Sequence, residues 1–274
     1  IDLRDIFSET ISDILSLKSR VLGVVTKLIF SMFEKYLFSG AIGVNVVSEG
    51  FPDYFKQRGV DISAWSFFPN GVDQEFIEIS TESKKCRDEG IVAEIKTVLY
   101  AGNIGSGQGL ERIIPKLAKQ LGDSFRFVVV GGGGTESLLK EAVVREGINN
   151  VEMVTPVSRK ALMKYYRKSD ILFLHLNDLP AFRRVLPSKI FEYAALGKPI
   201  VAGLSGYSAK FLEKQAPYTS LFKPGDSEGG YKAMIRASEV VVPSDAVDQF
   251  VKKYSRESIM DKMAEHVIKL TVDS

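Results

Sequence analysis

The chain has 274 residues, of which 45% are hydrophobic and 26% are charged, a composition that excludes a disordered or fibrous protein. Its formal net charge of +2 gives no indication of a nucleic-acid partner, and none is expected. The single cysteine excludes an intrachain disulfide and favours a reducing compartment, so we expect a cytoplasmic location.

The beginning of the chain predicts part of an α/β unit. Residues 17–38 have a long helical pattern, and strands are predicted at residues 41–47 and 65–68 around a helix at residues 51–57. Pro69-Asn70-Gly71 interrupts this pattern and predicts a domain boundary. The sequence starts at Ile1 without an initiator methionine, so we expect the first strands of this unit to lie upstream.

From Lys96 onward, short apolar segments alternate with helical patterns. We predict strands at residues 97–100, 125–130, 151–154, 171–176, 199–202 and 220–222, and helices at residues 110–121, 136–146, 159–168 and 188–196. Apolar strands that do not alternate with polar residues indicate a parallel sheet covered on both faces. An amphipathic helix follows at residues 245–270, so we divide the chain into regions 1–70, 71–244 and 245–274.

Two glycine-rich turns follow neighbouring strands. The first contains Gly102, Asn103, Gly105, Gln108 and Gly109, and the second contains Gly131, Gly132, Gly133 and Gly134. Such turns bring backbone N–H groups close to an anion, although a tight turn alone also explains them. Because both turns follow strands of a parallel sheet, we expect them to face one ligand.

A third candidate site begins the predicted helix at residues 188–196. Pro187 and Ser188 are typical of a helix start, and Ser188 and Lys189 then lie at the positive end of the helix dipole, where a phosphate binds well. Glu192 follows one turn later and could accept hydrogen bonds from two ribose hydroxyls. The alternative for Glu192 is a solvated helix residue or a capping acid.

Other chemistry is poorly supported by the sequence. His175 lies in an apolar strand and is interpreted as a buried, hydrogen-bonded core residue. No cluster of histidine, cysteine and aspartate has metal-ligand spacing, and no Asp-x-Asp pair is present, so we expect neither a metal nor a cofactor. No Walker A or Gly-x-Ser-x-Gly sequence occurs.

These motifs, in this order, resemble the bacterial family-4-type retaining glycosyltransferases of the GT-B fold. The resemblance covers nearly the whole chain and includes Ser48-Glu49-Gly50-Phe51, Pro69-Asn70-Gly71-Val72-Asp73, Tyr100-Ala101-Gly102-Asn103-Ile104-Gly105 and Pro187-Ser188-Lys189-Ile190-Phe191-Glu192. The Asn-Ile-Gly and Pro-Ser-Lys variants are most similar to L-fucosamine transferases of O-antigen and capsule synthesis.

The resemblance implies two Rossmann-like domains, with a UDP-sugar held mainly by the carboxyl-terminal one and a lipid-linked glycan as acceptor. It implies that Glu192 binds ribose, that Ser188, Lys189 and the amides near Gly105 hold the diphosphate, and that Pro156 and Val157 lie near the base. It also implies that the carboxyl-terminal helix crosses back to the amino-terminal domain.

Three positions depart from the family pattern. Arg184 replaces a glutamate that contacts the donor sugar, Asn103 replaces an arginine, and Gln108 replaces a lysine. Because a leaving diphosphate needs positive charge, we expect Lys189 first and Arg184 second to supply it, with Arg183 as a further candidate.

Two other functions remain open from the sequence, a nucleotide-binding module without catalysis and a GT-B-fold sugar-nucleotide epimerase.

The helix predicted at residues 17–38 has two possible positions. It packs within its domain, or it lies at a membrane surface with its apolar residues and lysines facing anionic headgroups. The second alternative implies a peripheral position at the inner face of the cell membrane.

Overall fold

The computed structural model describes residues 1–16, 19–87 and 94–272. Its amino-terminal unit is a parallel sheet of order β1-β2-β3 with helices packed against it. The elements of this unit are β1 (Asp2–Leu3), α1 (Phe7–Ser16), α2 (Arg20–Ser39), β2 (Val44–Val46), α3 (Pro52–Lys56) and β3 (Trp65–Phe67). The helix predicted at residues 17–38 is therefore α2, and Leu17 and Lys18 lie outside the described residues.

The larger unit contains six parallel strands in the order β6-β5-β4-β7-β8-β9. Its strands are β4 (Lys96–Asn103), β5 (Phe125–Gly132), β6 (Val151–Val154), β7 (Ile171–His175), β8 (Ile200–Gly203) and β9 (Thr219–Phe222). Its helices are α5 (Leu110–Leu121), α6 (Glu136–Arg145), α7 (Arg159–Lys168), α8 (Ser188–Ala195), α9 (Tyr207–Gln215) and α10 (Ser227–Glu239). The predicted α/β class and parallel sheet are confirmed.

Alternate residues of each central strand enter two separate cores. In β4, Leu99 and Ala101 pack in one apolar cluster, whereas Val98 and Tyr100 pack in the other. All of these side chains are buried, which explains why residues 98–101 of the strand are all apolar. Because both faces of the strand are buried, its position in the sheet is fixed, and so is the position at which the following turn begins.

The region predicted as one helix at residues 245–270 is two helices, α11 (Ser244–Tyr254) and α12 (Arg256–Val272). Ser255 separates them in an extended conformation. The reason is a contact with Val72 in the segment that follows β3, and we call this segment the linker. The amide of Val72 donates to the carbonyl of Tyr254, and the amide of Arg256 donates to the carbonyl of Val72. This parallel bridge takes the chain out of the helix at Ser255.

Helix α12 lies against the amino-terminal unit. A Cβ at Gly43 would come within 2.7 Å of Leu270 Cδ1, and the rings of Phe68 and His266 are 5.5 Å apart. A further helix, α4 (Gln74–Arg87), follows the linker and packs against α7 and α8. The exact domain boundaries stay a prediction.

Candidate functional site

The strand order of the larger sheet reverses between β4 and β7, and we call the edge at the carboxyl ends of these two strands the crevice. These strands are neighbours, although the chain continues from β4 through β5 to β6 on one side and from β7 through β8 to β9 on the other. Open parallel sheets bind their ligands at this switch point. The turn after β4 and the helix that follows β7, α8, both border it.

Lys189 lies directly over the end of β4. A Cβ atom at Gly102 would come within 2.3 Å of Lys189 Cε and within 3.2 Å of its Nζ. Because Gly102 has a φ of +153°, this position favours glycine on conformational grounds as well. The ammonium group of Lys189 is therefore held in the crevice, beside the first turn of α8.

Glu192 lies next to this ammonium group. Its Oε2 is 3.9 Å from Lys189 Nζ, and Tyr166 donates a hydrogen bond to the same oxygen over 3.2 Å. About a quarter of each side chain of this charged pair remains exposed. Burial raises the pKa of Tyr166, so its hydroxyl keeps its proton and continues to donate. The hydrogen bond from Tyr166 thereby orients the Glu192 carboxylate, and its exposed part is able to accept further hydrogen bonds.

The two glycine-rich turns touch each other. A Cβ at Gly131 would lie 1.8 Å from the carbonyl oxygen of Gly102, and a Cβ at Gly133 would lie 2.5 Å from the carbonyl oxygen of Ile104. The amide of Ile104 donates to the carbonyl of Gly132 over 2.9 Å. Backbone packed this closely leaves room for glycine only, and it joins both turns into one edge of the crevice.

Asn103 and Gln108 bind each other across the first turn. Gln108 Oε1 accepts hydrogen bonds from Asn103 Nδ2 over 3.2 Å and from the amide of Gly105 over 3.1 Å. The two positions where the family resemblance implies cations thus hold neutral amides that close the turn. In this conformation the Gly105 amide donates to the protein, so an anion would have to displace the Gln108 side chain to reach it.

His175 connects this turn to a second loop. The amide of Gly225 donates to His175 Nε2 over 3.0 Å, so Nδ1 carries the proton and donates to the carbonyl of Gln108 over 2.6 Å. Burial lowers the pKa of His175, which keeps the ring neutral. The interpretation of His175 as a buried, hydrogen-bonded residue is confirmed.

Pro156 and Val157 follow β6 at the next strand end. A Cβ at Gly132 would be 3.2 Å from Pro156 Cγ, so Pro156 borders the second glycine-rich turn. Val157 is half-buried and packs against the core that also contains α8. Both residues therefore lie at the end of β6, near Gly132. Strand β5 separates them from the end of β4, where Lys189 lies.

Neither arginine before α8 shares the position of Lys189. Arg183 pairs with Asp178 through Nε–Oδ1 and Nη2–Oδ2 hydrogen bonds of 2.8 and 2.9 Å. These hydrogen bonds, with one from Ser205, lower the pKa of Asp178 to about 2. Arg184 pairs with Glu9 of α1, with an Nε–Oε2 distance of 3.1 Å. Of the three candidate cations, Lys189 is the one that lies over β4.

Three further residues contribute contacts to the candidate site that the sequence does not predict. Tyr166 orients Glu192, the Tyr193 hydroxyl accepts from the amide of Ala101 over 3.2 Å, and the amide of Asn177 donates to the carbonyl of Gly107 over 2.8 Å. No motif distinguishes Tyr166 from the adjacent Tyr165. The contacts depend on how α7 and α8 pack on the sheet, which the sequence does not encode locally.

Metal clusters and membrane-spanning helices are both absent from the described part of the chain. No group of three or more histidine, cysteine, aspartate or glutamate side chains in residues 1–16, 19–87 and 94–272 is arranged to hold a metal ion. Within the same ranges, no helix has both the length and the apolar character needed to cross a bilayer.

The parallel sheets, their linker and the returning helix α12 define an α/β protein of the GT-B type. Residues 82–240 match the family described as Glycosyl transferases group 1, and the chain belongs to that family.

A bacterial relative agrees with this assignment. The chain is 26% identical over 180 residues to the putative colanic acid biosynthesis glycosyl transferase WcaI of Escherichia coli K12, an alignment that covers 64% of this chain and 44% of that protein. The chain therefore spans less than half of that relative.

Two solved structures share the fold. A glycosyltransferase from Rickettsia africae superimposes with a TM-score of 0.71 at 16% identity, covering 89% of this chain and 68% of that one. Anabaena Alr3699/HepE, solved in complex with UDP and glucose, superimposes with a TM-score of 0.70 at 20% identity, covering 97% of this chain and 70% of that one.

Proposed function

We propose that the protein containing this chain transfers a hexosyl or N-acetylhexosaminyl unit from a UDP-sugar to a lipid-linked glycan, with retention of anomeric configuration. The observation that carries this proposal is the position of Lys189 over Gly102 with Glu192 beside it, at the switch point of the sheet. A cation, a helix amino terminus and a carboxylate lie together there, which supports the proposal that they bind one nucleotide.

Each part of the crevice suits one part of the donor. Glu192, oriented by Tyr166, accepts hydrogen bonds from the ribose hydroxyls. Lys189, Ser188 and the first-turn amides of α8 bind the diphosphate, since such amides lack acceptors within their own helix. Pro156 and Val157 border the base, while Gly102, Gly131 and Gly133 let the ligand approach the backbone.

Catalysis then depends mainly on the leaving diphosphate. As the glycosidic bond breaks, negative charge grows on the diphosphate oxygen, and the ammonium of Lys189 stabilises this charge. The partly buried position of Lys189 strengthens the effect, because water screens the interaction less there. Positioning of the acceptor by the rest of the protein would supply the remaining rate enhancement.

The identity of the nucleotide and the acceptor is inferred from relatives and from the sequence. Anabaena HepE binds UDP and glucose in its crystal structure, which supports a UDP-linked donor here. WcaI is named for colanic acid synthesis, which supports a role in a bacterial surface polysaccharide and, with it, a lipid-linked acceptor. The L-fucosamine type of donor, suggested by the Asn-Ile-Gly and Pro-Ser-Lys variants, stays a prediction.

A second function has one observation in its favour. Asn103 and Gln108 hydrogen-bond to each other where the resemblance implies two cations. With less positive charge in the crevice, the protein could bind a nucleotide without transferring its sugar. This alternative predicts nucleotide binding with no turnover of the donor by the full-length protein.

A thermal-shift panel of UDP-, GDP- and ADP-sugars on the full-length protein tests the proposal. Binding to the folded state raises the melting temperature in proportion to the logarithm of ligand concentration over Kd. We expect stabilisation by UDP-sugars above the other two classes, followed by donor turnover with a membrane extract as acceptor. Stabilisation without turnover would support the nucleotide-binding alternative, and no stabilisation by any UDP-sugar would contradict the proposed donor.

A further inference from the structure

A cavity of about 550 Å³ lies where the two units meet, beside α9, α11 and α12. Phe67 at the end of β3, with Phe68 and Pro69 of the linker, borders it on the side of the amino-terminal unit. The volume is within the range of small-molecule sites. The described residues that line this cavity do not include Lys189 or Glu192, so it is separate from the donor site proposed above.

Aromatic side chains form the buried wall of this cavity. Phe211 of α9 and Tyr254 of α11 are both buried, and their ring centroids are 5.4 Å apart. Both rings also pack against Phe191 of α8, with centroid distances of 5.5 and 5.4 Å. Because these rings belong to the close-packed core, the wall has a fixed shape that is ready to contact the apolar part of a ligand.

The charged residues of the cavity are mostly basic. Three helices contribute exposed lysines to its lining, namely Lys210 and Lys214 of α9, Lys253 of α11 and Lys262 of α12. Glu49 is the one acidic residue among the described residues of the lining, so positive charges exceed negative charges by three. We call this cavity the lysine pocket. Such a cluster is complementary to an anion that carries more than one negative charge.

The protein leaves three of these ammonium groups available to a ligand. Lys210 and Lys214 are four residues apart on α9, a spacing at which like charges repel and destabilise a helix. Within the part of the chain that the structure describes, Lys210, Lys214 and Lys262 make no ion pair or hydrogen bond. Lys253 differs, because its Nζ donates to Gln215 Oε1 over 3.0 Å. A bound anion would relieve the repulsion on α9.

The carboxylate of Glu49 adds a hydrogen-bond acceptor to the lysine pocket. Tyr207 Oη donates to Glu49 Oε2 over 2.8 Å. Burial, together with this hydrogen bond, raises the pKa of Tyr207, so its hydroxyl keeps the proton that it donates. A carboxylate accepts several hydrogen bonds, and Glu49 therefore has capacity for hydroxyl groups of a ligand. An acceptor beside the lysines favours an anion that also carries hydroxyl groups over a bare anion.

We propose that the lysine pocket binds a sugar that carries a phosphate or a diphosphate, as a second site beside the donor site. The lysines bind the phosphoryl oxygens, the aromatic wall contacts the C–H groups of the sugar ring, and Glu49 accepts from its hydroxyl groups. A free sugar phosphate and the sugar diphosphate end of a lipid-linked glycan have this chemistry in common.

Calorimetric titration of the full-length protein in saturating UDP tests the proposal, because UDP then occupies the donor site. The probes are N-acetylglucosamine 1-phosphate and N-acetylglucosaminyl diphosphate linked to farnesol. We expect at least one probe to bind at one site per chain, and the probe that binds more tightly identifies the free or the lipid-linked source. Inorganic phosphate should bind at least about tenfold more weakly, since it lacks the hydroxyl and ring contacts.

Two results of this titration would overturn the proposal. Equal affinity for inorganic phosphate would contradict recognition of the sugar. No binding of either probe would contradict the site itself, and this is also the result expected if an acidic segment of the same chain fills the pocket. If UDP does not bind, the proposed donor is contradicted, whereas the lysine variants described next still report on the lysine pocket.

Paired lysine variants locate the binding site. Lys210→Met with Lys214→Met keeps the aliphatic stems and removes two charges, so affinity for the probe should fall at least about tenfold while UDP affinity stays unchanged. Lys164→Met with Lys168→Met on α7 removes two exposed lysines at the same spacing and should bind like the parent. Unchanged affinity in the α9 variant, or equal loss in both variants, would overturn the proposal. Circular dichroism and melting temperature establish that both variants fold.

Discussion

Arg184 Nε lies 3.1 Å from Glu9 Oε2 and connects the segment before α8 to helix α1 of the amino-terminal unit. Glu9 is 5% exposed in its side chain, and the guanidinium is 5.7 Å from the ring centroid of Tyr54. Ser48 Oγ also donates to the carbonyl of Arg184. The start of α8, which carries Lys189, is thus attached to the other unit through Arg184.

We expect Arg184→Met to destabilise the protein more than it affects donor affinity. The variant removes the guanidinium that pairs with the buried Glu9 carboxylate, which should lower the free energy of unfolding by about 1–3 kcal/mol. Urea denaturation measures this change. The adjacent, solvent-exposed Arg183→Met is the control and should be the milder variant, so equal effects would contradict the structural role assigned to Arg184.

Replacing glycines of the second turn by alanine should lower stability at one position and leave it unchanged at another. Gly131→Ala places a Cβ 1.8 Å from a backbone oxygen, whereas a Cβ at Gly134 meets no heavy atom within 4 Å. We expect Gly131→Ala to cost at least about 2 kcal/mol of stability and to weaken UDP binding. Gly134→Ala should change neither quantity, and a neutral Gly131→Ala would refute the close packing of the two turns.

Lys189→Met keeps the aliphatic stem and removes the charge. If Lys189 stabilises the leaving diphosphate, kcat/KM of the full-length enzyme should fall by an amount that corresponds to about 2–4 kcal/mol. Lys119→Met on α5, whose side chain is 64% exposed, provides the control. A Lys189→Met enzyme within about threefold of the parent would exclude this role.

Acidification should loosen the turn that His175 holds. Its pKa in the folded protein lies below the usual 6.5, so the unfolded chain binds this proton more readily. The contribution of His175 to stability is therefore present above pH 6.5 and is lost as the pH falls toward the folded pKa. Urea midpoints at about pH 7.5 and about pH 5.5 should differ less in His175→Gln than in the parent. An unchanged difference would contradict this assignment.

Much of the larger sheet was predictable, because its strands are largely apolar and glycines lie at or next to the ends of β4, β5 and β8. Helices α5 and α7 begin and end where the sequence predicts. Helix α10 was missed because Gly229 and Gly230 lower its helix propensity. In the structure Gly230 packs closely, since a Cβ there would come within 3.0 Å of Leu117 Cδ2. Tertiary packing stabilises a helix that local propensity does not indicate.

The arrangement of the candidate site could be predicted in part. Lys189, Glu192 and the glycine-rich turns follow from local motifs, because each motif marks a strand end or a helix start. The ion pair of Arg184 with Glu9 joins residues far apart in the chain, and Tyr166 reaches Glu192 from another helix. Sequence patterns specify elements and their ends, but such pairings arise only when the elements pack.

Calorimetric titration of the full-length protein with UDP tests the central claim most directly. Glu192→Ala removes the carboxylate proposed to accept two ribose hydroxyls, and we predict a loss of affinity of about 1.5–3 kcal/mol for each hydrogen bond at most. The exposed Glu213→Ala on α9 should bind UDP like the parent. Unchanged UDP affinity in Glu192→Ala, with the fold intact, would contradict the nucleotide site at the ends of β4 and β7.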